Sequence, residues 1–133
     1  MNVELFDNTK LAAYFVWEVT GCANALALWY CAEDTAGLLE RMGVRTAAQI
    51  DAIVRLGQAD PGYVSFLRHI AFRLYIYTGC ADAAANWYAA ERLAANTEWR
   101  RAMAAMAGLL HASRETGVAI PGIKLEAVRA YYR

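Results

Sequence analysis

The chain has 133 residues, of which 59% are hydrophobic, and its 13 basic and 13 acidic residues give a formal net charge of zero. The hydrophobic fraction exceeds the roughly 45–50% usual for globular proteins and excludes an intrinsically disordered chain. The charge is nevertheless divided. Residues 1–66 hold four basic and eight acidic groups, whereas residues 67–133 hold nine basic and five acidic groups. Neither half has the strongly basic character that is typical of a nucleic-acid partner.

All predicted elements are helices, because good helix formers are abundant and no apolar–polar alternation is flanked by hairpin turns. A first helix is predicted over about residues 4–19, and Gly21 suits the position that ends it, because glycine enters the left-handed conformation without a Cβ clash. A second helix follows over about residues 22–34, with Asn24 in its first turn. A short helix over about residues 35–42 then stops at Gly43.

The later elements repeat this plan. Thr46 and Gln49 have the capping-box spacing and predict a helix that runs to Leu56. Beyond an Asp-Pro-Gly turn, a helix with one apolar face precedes a helix over about residues 80–95. Asn96 and Thr97 then cap a long helix that runs to about Thr116. A terminal helix is predicted at 123–133.

An internal repeat is the strongest pattern in the sequence. Residues 20–33, here called the first box, return 58 residues later as the second box, residues 78–91, with ten of 14 positions identical. A second similarity, at an offset of 60, relates residues 57–62 to residues 117–122 and includes the only two prolines. A repeat predicts that both copies fold alike and cover each other's apolar faces.

The repeat and the helix signals together predict an all-α fold. We expect residues 1–133 to form a single helical domain, a compact bundle of six or seven helices with pseudo-twofold symmetry. The two copies of about 58–60 residues are predicted at about 4–62 and 63–122, followed by the terminal helix at 123–133.

The boxes also supply the candidate site. Residues spaced i, i+4, i+7 and i+11 share one helix face, so each box aligns a cysteine, a tryptophan and a glutamate, with a tyrosine on the adjacent face. The candidate ligand-binding residues are Cys22, Trp29, Tyr30, Glu33, Cys80, Trp87, Tyr88 and Glu91. The alternative interpretation is that these residues only pack the core. If the duplication created a pseudo-twofold axis, Trp29 and Trp87 should both be largely buried in matching environments.

No catalytic residue, metal ligand or cofactor is assigned. Neither Cys22 nor Cys80 has an adjacent histidine or a second thiol in a Cys-x-x-Cys arrangement. The sequence does not decide whether either thiol is reactive, but it favours buried and inert thiols. Neither His69 nor His111 follows a glutamate by three residues, so the di-iron bundle pattern is missing.

One short segment resembles a DNA-binding module. Leu39-x-x-Met42-Gly43-Val44-Arg45-Thr46-Ala47 resembles the turn of a helix-hairpin-helix motif, and this resemblance implies a contact with the DNA backbone. That family usually has a second glycine where Arg45 stands, and the surrounding half of the chain is acidic. A nucleic-acid partner is therefore not expected.

Membrane insertion is not expected either. The longest uncharged stretch of the N-terminal half, between Glu18 and Glu33, is interrupted by Thr20, Gly21 and Asn24, whereas a span needs roughly 20 predominantly apolar residues. The start of the chain lacks the basic and apolar regions of a signal peptide. Three cysteines, an odd number, fit a reducing cytoplasm.

Two hypotheses of function remain. The first is a non-catalytic cytoplasmic helical module that acts through protein–protein contacts or self-association as a homo-oligomer, a role that outward-facing Trp17, Tyr75 and Tyr131 would support. The alternative is a small-molecule binding protein with an aromatic pocket between the two box helices, which would take a small aromatic or cationic ligand.

Overall fold

The computed structural model describes residues 3–117. This part of the chain forms six α-helices and no strand, which confirms the predicted all-α class. The helices are α1 (Val3–Thr20), α2 (Ala25–Arg41), α3 (Ala47–Leu56), α4 (Pro61–Thr78), α5 (Ala83–Ala95) and α6 (Thr97–Thr116). The helix predicted at 123–133 lies outside the described residues.

The junctions α1–α2 and α4–α5 have the same local geometry. Gly21 and Gly79 end α1 and α4 with φ angles of 70° and 73°, and each backbone N–H donates to the carbonyl four residues earlier. These angles suit glycine, because any other residue would bring its Cβ against the backbone. The preceding threonine hydroxyl accepts a hydrogen bond from the following cysteine N–H, at 3.2 Å in the first junction and 3.3 Å in the second.

The box helices begin three residues later than predicted. Asn24 and Asp82 have extended backbones and act as N-caps, and their side chains accept from the N–H groups of Ala27 and Ala85, both at 3.1 Å. Their placement in the first helical turn was therefore wrong. A side-chain acceptor at the cap satisfies an N–H that the helix itself leaves without a partner.

The predicted break between residues 34 and 35 was also wrong, because α2 continues through it to Arg41. The Thr35 hydroxyl donates to the Cys31 carbonyl at 2.8 Å within the unbroken helix. Ala36 and Gly37 are buried, so packing of this face outweighs the low helix propensity of glycine. The predicted α3 is confirmed, and both hydrogen bonds of its capping box are formed.

The six helices form a compact bundle. α1 packs on α2, α5 and α6, whereas α4 packs on α2, α3 and α5. α6 also contacts α2, α3 and α5, whereas α2 and α5 are not a packed pair. The largest fully buried side chains are apolar apart from two glutamates, and they include Trp99, Phe66, Leu39, Ile50, Leu67 and Leu74.

Within the described residues, no single helix is long and apolar enough to cross a membrane. The pair formed by α1 and α2 meets the length and composition requirements only together, across a bend of 113°.

Candidate functional site

The eight predicted ligand-binding residues lie on or just before α2 and α5, two helices that do not pack on each other. In the first box Glu33 is buried, and the partly buried residues are Cys22, Trp29 and Tyr30. In the second box Tyr88 is exposed, and the partly buried residues are Cys80, Trp87 and Glu91. The two sets therefore have to be considered as separate surfaces.

Trp29 and Glu33 of the first box make their contacts within the protein. The indole N–H of Trp29 donates to the Glu33 carboxylate at 2.8 Å, across one helical turn. The ring of Phe6 lies against Trp29 with a centroid distance of 5.2 Å. Because the Glu33 side chain is buried, its carboxylate orients the indole inside the protein.

The second box has a different environment, so the prediction of matching tryptophan environments was wrong. Glu91 accepts a hydrogen bond from Gln58 at 2.8 Å rather than from Trp87. Within residues 3–117, the Trp87 indole N–H has no hydrogen-bond acceptor and no aromatic ring packs on it. Position 64, which lies 58 residues after Phe6, is a valine.

Trp87 lines an open cavity between α4 and α5, here called the α4–α5 groove. Its volume is about 440 Å³, and its walls are Arg68, Phe72, Tyr75, Asn86 and Trp87 together with three alanines. Asn86 is buried and fixed by a hydrogen bond from its amide to the Cys80 carbonyl at 2.8 Å. Aromatic walls with a few polar groups, in a volume of roughly 300–1,000 Å³, are typical of binding sites.

Two exposed aromatic pairs lie 58 residues apart in the sequence. The α1 aromatic pair is Tyr14 and Trp17, with 51% and 47% of their surface exposed, and the α4 aromatic pair is Phe72 and Tyr75, with 57% and 49%. Each pair is spaced i, i+3, and the two are 58 residues apart. Their ring centroids are separated by 5.7 Å and 6.5 Å, with interplanar angles of 41° and 35°.

Sequence reasoning had identified only part of this surface. Trp17 and Tyr75 were named as candidate interface residues, and both are exposed. Tyr14 and Phe72 were missed, although each lies three residues before a named partner and shares its helix face. Tyr131 lies outside the described residues.

The helices that carry these pairs differ in charge. The ionisable residues of α1 are the acidic Glu4, Asp7 and Glu18 and the basic Lys10. α4 has Arg68 and Arg73 but no acidic residue. At an offset of 58 residues, Lys10 aligns with Arg68, whereas Glu18 aligns with an isoleucine, so α1 has a carboxylate where α4 has an apolar side chain.

A buried polar network lies between α2 and α4. The Tyr77 hydroxyl donates to Asp34 at 2.7 Å, and the Arg73 Nε atom lies 3.8 Å from the same carboxylate oxygen. Burial, followed by the hydrogen bond to Asp34, raises the pKa of Tyr77 above its ordinary value. Burial also raises the pKa of the Cys31 thiol from 9.0 to about 12, so Cys31 is an unreactive core thiol.

The segment that resembles a helix-hairpin-helix turn uses its backbone donors internally. The N–H groups of Arg45 and Thr46 donate to the Gln49 side chain at 2.7 Å and 3.1 Å. Donors held in this way are not directed at a phosphate. Elsewhere in residues 3–117, no group of three His, Cys, Asp or Glu side chains is placed to hold a metal ion.

No protein-family model, curated protein or solved structure matches this chain. The fold and its surface define an all-α helical bundle with two exposed aromatic pairs, one of which borders an open groove.

Proposed function

We propose that the protein is a non-catalytic helical module that acts through protein–protein contacts made by its α1 and α4 aromatic pairs. The observation that carries this proposal is the exposure of four large rings at two equivalent positions. Aromatic residues are enriched in protein interfaces, where they supply most of the binding energy. We place the module in the cytoplasm, because Cys22, Cys31 and Cys80 are all free thiols, as is usual in a reducing compartment.

Sedimentation velocity over a range of protein concentrations tests this function. The wild type should associate, and the double variant Tyr14→Ser with Trp17→Ser should associate less because it loses two rings. Leu56→Ser is the matched control, since Leu56 is an exposed apolar residue on α3. The proposal would be contradicted if the wild type stays monomeric at about 1 mM and binds no other protein through these rings.

We further propose that the two halves arose by duplication and are related by a pseudo-twofold axis. The matching glycine ends, threonine turns and caps of the two junctions support this, as does the packing of α1 on α5 and of α2 on α4. Gly21→Ala and Gly79→Ala should each reduce the free energy of unfolding by about 1–2 kcal/mol, because alanine is strained at a left-handed φ. Losses that differ by more than about 1 kcal/mol would contradict equivalent roles.

A second candidate function is the binding of a small molecule in the α4–α5 groove. The specific observation in its favour is that Trp87 and Arg68 both line this cavity and that, within residues 3–117, the Trp87 indole N–H has no hydrogen-bond acceptor. Two donors among aromatic walls favour an aromatic anion. The sequence predicts a small aromatic or cationic ligand, and the carboxylates of Glu33 and Glu91 accept hydrogen bonds from Trp29 and Gln58.

Calorimetric titration with indole-3-acetate tests this second function. Binding should be saturable, and Arg68→Gln should weaken it by about tenfold, the effect of roughly 1.4 kcal/mol. Arg92→Gln is the control, because Arg92 lies over the Tyr88 ring and is not among the residues that line the groove. Absence of heat at a ligand concentration of about 1 mM would reject the candidate.

A further inference from the structure

We propose that the partner is a second copy of this chain, bound head to tail, with the α1 aromatic pair of one copy seated in the α4–α5 groove of the next. This inference rests on the proposed protein-contact function and names its partner. It joins two different surfaces of the same protein, so each copy offers one α1 pair and one groove.

The α1 aromatic pair and the α4–α5 groove are complementary in shape and polarity. The groove has a volume of about 440 Å³, and its walls include Phe72, Tyr75 and Trp87. In the first half of the chain, the corresponding indole of Trp29 is covered by the Phe6 ring. Within residues 3–117 no aromatic ring packs on Trp87, so a ring from a second copy would supply the contact that Phe6 supplies to Trp29.

The α1 pair of the same molecule does not fill this groove. Trp17 keeps 47% of its surface exposed, and no α1 residue is among those that line the cavity. α1 and α4 are also not a packed pair. Both surfaces are therefore open at once within the described part of a single copy.

Glu18 and Arg68 give the two surfaces opposite charges at one point of contact. Glu18 lies four residues after Tyr14, so an exposed carboxylate stands on the same helix face as the α1 pair. Arg68 and Trp87 line the groove, and α4 has no acidic residue to repel that carboxylate. The Glu18 carboxylate would thus approach Arg68 when the α1 pair enters the groove.

The same charges disfavour the pairing of two grooves. Contact of two grooves would bring Arg68 of each copy close together. Like charges juxtaposed at an interface weaken the complex and suppress that mode of association. A head-to-tail contact is heterologous, so it continues from copy to copy until it closes a ring or extends as a chain.

Two blocked variants test the geometry. The pair-blocked variant carries Tyr14→Ser and Trp17→Ser and keeps its groove, and the groove-blocked variant carries Phe72→Ser and Tyr75→Ser and keeps its α1 pair. Each should be monomeric alone, and an equimolar mixture should give a 1:1 heterodimer in sedimentation velocity. All four substituted residues are exposed, and thermal melts followed by circular dichroism check that both variants fold.

The outcomes separate the geometry from the general function. If one blocked variant still self-associates while the other does not, the contact is symmetric and the head-to-tail arrangement is wrong. If both are monomeric and the mixture forms no heterodimer, that arrangement is also wrong, although the rings still make the protein contacts. A wild type that never associates with itself overturns the second-copy proposal directly.

Charge reversal provides a second arm that leaves the aromatic rings intact. Glu18→Arg and Arg68→Glu should each weaken self-association by about tenfold, and the double variant should recover because the pair is restored with opposite polarity. Lys10→Glu is the control. Combined with Arg68→Glu, it should not restore the self-association that Arg68→Glu weakens. Loss without recovery in the Glu18 and Arg68 double variant would overturn the proposed pairing of these two residues.

Discussion

Glu40 carries a buried charge on α2, and Arg114→Ala tests how that charge is held. The Glu40 side chain is only 2% exposed, and its Oε2 atom lies 3.0 Å from the Arg114 guanidinium on α6. The Oε1 atom lies 3.5 Å from His111 Nδ1 but has no hydrogen-bond partner within residues 3–117. Removal of Arg114 would therefore leave a buried carboxylate with one distant partner.

The expected cost follows from the distance and the exposure. Two unit charges 3.0 Å apart attract by about 5 kcal/mol at an effective dielectric constant of about 20. Arg114 is 60% exposed, so solvent screens this attraction strongly. The loss of one partner from a fully buried pair costs about 3–5 kcal/mol, and an exposed pair contributes about 0–1 kcal/mol. We expect Arg114→Ala to cost about 2 kcal/mol, between these limits.

A double-mutant cycle in urea measures the interaction itself. Glu40→Gln removes the charge with little change in shape, and combined with Arg114→Ala it should give a coupling energy of about 2 kcal/mol. Arg101→Ala, an exposed arginine on the same helix, is the control and should change stability by less than about 0.5 kcal/mol. A coupling energy below about 0.5 kcal/mol would refute the reasoning that Arg114 offsets the burial of Glu40.

Three further predictions concern stability. Folding raises the pKa values of Cys31 and Tyr77, so the stability that they contribute is present below about pH 9 and is lost as the pH rises towards 12. In urea melts at alkaline pH, Cys31→Ala should therefore lose less stability with rising pH than the wild type. An unchanged dependence of the unfolding free energy on pH would contradict this prediction. Trp99→Ala should lower the free energy of unfolding by about 3–5 kcal/mol, because Trp99 is 1% exposed. Trp87→Ala at the groove should lower it by about 1 kcal/mol. Equal losses of unfolding free energy in denaturant melts would be inconsistent with the different burial of the two rings. Thr46→Ala should cost about 1 kcal/mol in the same melts by removing the cap of α3, and a change below about 0.3 kcal/mol would show that the cap is not needed.

Helix boundaries could be predicted from the sequence where a cap defines them. The capping box of Thr46 and Gln49 located α3, and Asn96 located the start of α6, because a side-chain acceptor at a helix start is a local signal. The continuity of α2 could not be predicted in this way. It depends on the burial of residues such as Ala36 and Gly37 against other helices, which local propensity does not report.

The candidate site was predictable only in part. Trp17 and Tyr75 were named as residues whose exposure would support a protein-contact role, but the groove depends on α5 packing on α4 rather than on α2, and no local pattern specifies that neighbour. The i, i+4 spacing of Trp29 and Glu33 allows the carboxylate to accept a hydrogen bond from the indole. Trp87 and Glu91 have the same spacing, yet Glu91 accepts from Gln58, and within residues 3–117 the Trp87 indole N–H has no acceptor, so the spacing alone does not decide the pairing.

A photocrosslink from position 17 tests the head-to-tail assembly most directly. A photoreactive phenylalanine analogue replaces Trp17, and isotope-labelled and unlabelled copies are mixed so that mass spectrometry distinguishes links between copies from links within one. We predict links between copies that join position 17 to peptides containing Phe72, Tyr75 or Trp87. Links between copies that join α1 to α1, or links confined to one copy, would contradict the assembly.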